Sequence, residues 1–137
     1  MVSHCSLNES NLMKITLPVA AAALLTFGSP AFPHHSFAMF DFSKEVVISG
    51  PLKDLQWTNP HIHLLLDVPS GSGGAVEWDI EGGTPSTLKR SGWSPNVVRP
   101  GEQISIVIHP MKNGSNGGSL VRASRADGTI IGGSGGP

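Results

Sequence analysis

Three stretches of the chain alternate apolar and polar side chains, and each alternation reads as a strand with one buried face. From His61 onward, Ile62, Leu64, Leu66 and Val68 fall on one side and His61, His63, Leu65 and Asp67 on the other. Residues 75–81 repeat the pattern, with Val76, Trp78 and Ile80 inward against Glu77, Asp79 and Glu81. In residues 102–109, Ile104, Ile106 and Ile108 point one way. The β-branched run 45–50 adds a further strand, which Gly50-Pro51 bends and residues 52–57 prolong. A last strand is expected over 120–125, after the Gly/Asn/Ser loop 112–118, and Asp127-Gly128 turns the chain into residues 129–131.

The connectors set the pairing. Asn59-Pro60 is a turn, and because Pro60 has no N–H the second strand should begin near His61. The Gly/Ser segment 69–74 makes a hairpin of the second and third strands. Burying both apolar sets on one face admits only registers in which paired numbers add to an even total. Pairing Val68 with Val76 sets Leu66 against Trp78, Asp67 against Glu77 and His63 against Glu81; a slip of two residues sets His63 against Asp79. In both registers His63 faces a carboxylate.

Gly82-Gly83 ends the third strand, and a short helix follows, with Thr84 as N-cap, Pro85 in its first turn, cations near its end and Gly92 just beyond. Leu88 and Trp93 pack that helix on the sheet. The order is three strands, a helix and two strands, which predicts a mainly β fold: a small OB-like β-barrel of about five strands with one short helix between the third and fourth. An open β-sandwich or roll is the rival arrangement.

Composition narrows the partners. The chain has 137 residues, a net charge of −1 and 14% charged residues with no basic cluster. It therefore lacks the electrostatic footprint of a nucleic-acid binder or a polybasic membrane patch. Its length allows one domain. Lys14, the apolar run 15–27 and the small residues Ser29 and Ala31 predict a signal peptide over residues 1–31, cut between Ala31 and Phe32, with Met13 as an alternative start. The run is too short for a membrane span of ~20 apolar residues, so no stable anchor is expected after cleavage. Cys5 would be removed with it, leaving a mature domain without thiols. Residues 32–44 read as an N-terminal arm in which Phe37, Met39 and Phe40 can cover a sheet edge, residues 45–131 as the barrel and residues 132–137 as a disordered tail.

The ordered motifs His34-His35-Ser36-Phe37, residues 46–50, Gln56-Trp57-Thr58-Asn59-Pro60-His61, Thr84-Pro85, residues 88–93, Arg99-Pro100-Gly101-Glu102 and Asp127-Gly128 resemble those of small secreted bacterial proteins grouped as domain of unknown function 6152. The resemblance spans nearly the whole expected mature chain. It implies export and a shared architecture, and carries no established activity or cofactor. His63 departs from the family pattern, which has aromatic or apolar residues near that position.

Candidate chemistry centres on histidine. His61 and His63, two residues apart on one strand face, have the spacing to reach one transition-metal ion, with Glu81 or Asp79 as a carboxylate and His34 and His35 as further nitrogens. Without a thiolate, copper(II), nickel or zinc suits such a set better than copper(I). The competing reading is packing or surface histidines bonded to carboxylates, with nothing bound. Trp57, Asn59 and Trp93 are candidates for a ligand cleft. No nucleophile elbow or phosphate-binding loop is present, so no catalytic residue is assigned. The functional expectation is an exported periplasmic accessory or small-ligand-binding module whose partner is a small molecule, metal ion or periplasmic protein. The alternative is a copper- or zinc-binding protein, and a small metalloenzyme is a third class.

Overall fold

The structure, a computed structural model, describes residues 37–134. The expected signal peptide, its cleavage point, Cys5, His34 and His35 lie outside the described residues. A 3-10 turn, Phe37–Met39, precedes strands β1 (Val46–Gln56), β2 (His63–Pro69) and β3 (Ala75–Glu81). Helix α1 (Pro85–Arg90) follows, then β4 (Gln103–Pro110), β5 (Gly117–Arg125) and β6 (Ile130–Gly133).

Neighbouring strands run β3-β2-β1-β4-β5, and a parallel pairing of β3 with β5 closes them into a five-stranded barrel, with β6 added beside β5. This is the OB-like closed barrel expected from the order of elements, with its one helix between β3 and β4. The hairpin register is the first of the two even-sum solutions: Val68 pairs with Val76, Leu66 with Trp78 and His63 with Glu81. Pairing already begins one residue before β2, where the Ile62 N–H donates to Gly83 O and its carbonyl accepts from Gly82 N–H.

β1 serves both halves of the barrel. Its first half, Val46 to Pro51, pairs with β4, and Leu52 to Gln56 pairs with β2 across a bulge. Gly50 sits at the crossing because a Cβ there would lie 2.5 Å from Asp67 O. Only a glycine lets β2 come so close to the bend.

Inside lie Ile62, Leu64, Leu66, Ile80, Ile104, Ile106 and Ile108, positions selected by alternation, joined by Ile48 and Leu52 of β1, Leu120 of β5 and Leu88 from α1. Thr84 caps that helix by accepting a hydrogen bond from Thr87 N–H, and the turn after it uses Gly92 at φ 90°. No helix among the described residues is long and apolar enough to cross a membrane.

Two expectations are corrected. Of the inward set expected on β3 only Ile80 is fully buried: Trp78 is half-buried at the core's margin and Val76 is exposed. The reason is that β5 covers β3 only at Asp79, Ile80 and Glu81, so residues 75–78 run along an open edge. The tail expected from Gly132 is instead part of β6 as far as Gly133. There the Trp93 indole Nε1–H donates to Gly133 O at 2.9 Å, and Ser134 N–H donates to Val121 O. Residues 135–137 lie outside the described residues.

Candidate functional site

Because Leu64, Ile80, Leu120 and Ile108 point inward, their chain neighbours His63, Glu81, Ser119 and His109 point outward. These four are successive register partners across β2, β3, β5 and β4, so they form one row on the outer wall of the barrel. Closure of β3 on β5 creates the row. His61 stands beside it, just before β2, and Asp79 stands below Glu81 on the same face of β3.

Each imidazole in this region has its Nδ1 held. His61 Nδ1 lies 2.5 Å from Glu81 Oε1, His63 Nδ1 lies 2.7 Å from Asp79 Oδ1, and His109 Nδ1 lies 2.8 Å from Lys44 O. Ionised carboxylates and backbone carbonyls only accept, so Nδ1 carries the proton in His63 and His109, whose contacts are hydrogen bonds. In the neutral form these two rings then have a lone pair at Nε2. The Asp79 carboxylate bonded to His63 raises that ring's pKa, although partial burial acts against it. Lys44 is itself fixed by its 2.8 Å ion pair with Asp41; Lys44 and Ser43 together hold the Asp41 carboxyl down to about 2.

The arm covers this wall. Phe40 is buried and bridges to Met111 just beyond β4, Asp41 N–H donates to Pro110 O, and Lys112 N–H donates to Met39 O. Phe42 sets its ring edge-on to His109 at a centroid distance of 4.9 Å. Two cavities open between arm and barrel. The smaller, of about 230 Å³, is bounded by Met39, His63, Asp79, Glu81, Met111 and Gly117. The larger, of about 430 Å³, is bounded by Phe37, Phe42, His61, Glu81 and His109, together with the backbone of Gly82 and Gly83. Glu81 is a wall of both.

The sequence-predicted residues are thus partly assembled. His61, His63, Glu81 and Asp79 come together as two close pairs, His63 hydrogen-bonded to Asp79 and His61 in ion-pair contact with Glu81, and the two rings line different cavities. Among the described residues no three side chains of His, Cys, Asp or Glu stand close enough to hold an ion. Trp57, Asn59 and Trp93 do not line either cavity. Trp93 is fully in the core, Trp57 is half-buried against it, and Asn59 is exposed in a turn with a cis bond to Pro60. Sequence reasoning passed over Met111, and used Met39 only as an apolar cover; the signal available was that the expected mature chain has just these two methionines.

Comparison with known proteins gives one match. The model of a family described as "Family of unknown function (DUF6152)" matches residues 21–121. No curated protein and no solved structure matches.

Proposed function

The chain belongs to this DUF6152 family of unknown function, and we propose that it is an exported, non-catalytic module that binds a transition-metal ion, copper or zinc, on the outer wall of the barrel. The observation that carries this reading is the fixed orientation of the imidazoles by Glu81, Asp79 and the Lys44 carbonyl. Metal-ligating histidines ordinarily donate their second ring N–H to a carboxylate or carbonyl, which leaves the other nitrogen as the ligand. His63 offers Nε2 in that way, and His61 stands beside it with Nδ1 against the Glu81 carboxylate. His34 and His35 are the further nitrogens that this proposal adds from the sequence. The location agrees with the fold: OB-type barrels use the face of their second and third strands and the β4–β5 loop for binding, an analogy that supports the place and not the ligand.

A small organic ligand is the second reading, favoured by the larger cavity, whose volume falls within the ordinary range for such sites. Calorimetric titration of the untagged exported protein with zinc(II) and copper(II) separates the two. Metal binding predicts an affinity tighter than about micromolar, weakened at least tenfold by His61→Ala or His63→Ala. Binding no tighter than roughly millimolar, about −4 kcal/mol, would overturn it. Intact mass of the same preparation tests export, and should begin at Phe32.

A further inference from the structure

We propose that the smaller cavity is a copper(I) site whose ligands are the thioether sulfurs of Met39 and Met111 and Nε2 of His63. This rests on the metal-binding reading and narrows it to one oxidation state and one place.

The two methionines come from segments far apart in the chain, one in the arm and one in the β4–β5 loop. Both line the same cavity of about 230 Å³. Neither belongs to the hydrophobic core, where methionine usually serves as a flexible filler; both are half-buried. Their backbones are locked together, since Phe40 bridges to Met111 and Lys112 N–H donates to Met39 O at 2.9 Å. Met111 N–H in turn donates to Gly117 O. Gly117 is the register partner of Asp79, and Asp79 holds His63. A Cβ on Gly117 would lie 2.9 Å from Asp79 O and 3.5 Å from Met111 Cγ, so the absence of a side chain there lets the loop lie close against β3. Hydrogen bonds and strand register thus connect Met39, Met111, Asp79 and His63 around one space.

The donor chemistry selects the ion. Thioethers are soft, neutral ligands that suit copper(I), while zinc(II) and copper(II) favour imidazole and carboxylate. Asp79 and Glu81 lie on the cavity wall and offset the charge of a monovalent cation. The arm carries Met39, so it supplies part of the site as well as covering it.

The test measures copper(I) affinity of the full untagged protein, anaerobically with ascorbate present, by competition with bicinchoninate. Met39→Leu/Met111→Leu keeps side-chain volume and removes both sulfurs. Its copper(I) affinity should fall by more than about 100-fold, because two of the three proposed ligands are lost and even loss of a group that merely supports a ligand costs about 10- to 100-fold, while zinc(II) titration stays unchanged. X-ray absorption of the copper(I)-loaded wild type should show sulfur as well as nitrogen around the metal. A double variant that binds copper(I) as tightly as wild type, or a metal shell without sulfur, would refute the site. Zinc(II) bound through His63 with no copper(I) binding would refute this inference and leave the broader reading intact. If His63→Ala alters the binding of no ion, both fall.

Discussion

His63 is paired through the backbone with Glu81, yet its Nδ1–H donates to Asp79, one step diagonally along β3. Glu81 is thereby left to His61, at 2.5 Å. The two carboxylates are shared one to each ring, and the rings line different cavities. Diagonal neighbours on a twisted antiparallel pair lie within reach of a long side chain, so register and contact need not coincide.

The His63–Asp79 pair makes stability depend on pH. Asp79 raises the folded-state pKa of His63, so protonation favours the folded protein. The contribution is fully present below the unfolded value near ~6.5 and is lost as pH rises through the folded pKa. Asp79→Asn should therefore lower the metal-free denaturation midpoint more at pH 5.5 than at pH 8.5. Asp79 is largely exposed, so the difference should stay below about 1 kcal/mol. Equal losses at both pH values would contradict the assignment.

Core and margin should respond differently. Leu64→Ala should cost about 2–5 kcal/mol in urea unfolding, as expected for a fully buried leucine. Trp78 lies along the open part of β3, so Trp78→Ala should cost less than a core aromatic, below about 3 kcal/mol. Glu77, exposed and paired with Lys53, should cost less than about 1. A Trp78→Ala loss exceeding that of Leu64→Ala would place the indole in the core after all.

Gly132 lies against the Trp93 indole, and an added Cβ would collide with Nε1. Gly132→Ala should force the ring away, break its bond to Gly133 O and cost about 1–3 kcal/mol. Tryptophan fluorescence should shift to longer wavelength as the ring meets water, and the melting temperature should fall. Gly128→Ala lies in open space but at φ 86°, so it should strain the turn without moving the Trp93 signal.

Glu81→Gln isolates the orienting role. Glutamine keeps the size but exchanges an anionic acceptor for a weaker neutral one. Under the metal-binding proposal, zinc(II) affinity should fall about 10- to 100-fold while the unfolding midpoint changes little. Unchanged affinity would remove Glu81 from the site.

The local pattern was sufficient for the first five strands and the capped helix, and it narrowed the hairpin to two registers, between which the structure chose. Period-two alternation at Ile62 to Val68 and Val76 to Ile80, with Thr84-Pro85 ahead of the helix, depends only on near neighbours, and even-sum pairing follows from burying one face. The element order then implied the barrel. Alternation also put His61, His63, Asp79 and Glu81 on the outside, so half of the candidate site was legible. What only the tertiary structure decided is how distant segments meet. Parallel closure of β3 on β5 has no local signal; it depends on glycines at 117 and 118, which sit where side chains would strike Asp79 O, His109 O and Ile108. That closure aligns Glu81 with Ser119 and His109, brings Met111 beside Asp79, and stops short of Trp78. The choice of Asp79 over Glu81 by His63 has the same origin. Alternation tells a side chain which face to occupy, but its neighbours on that face are set by twist, closure and the close approach of two backbones.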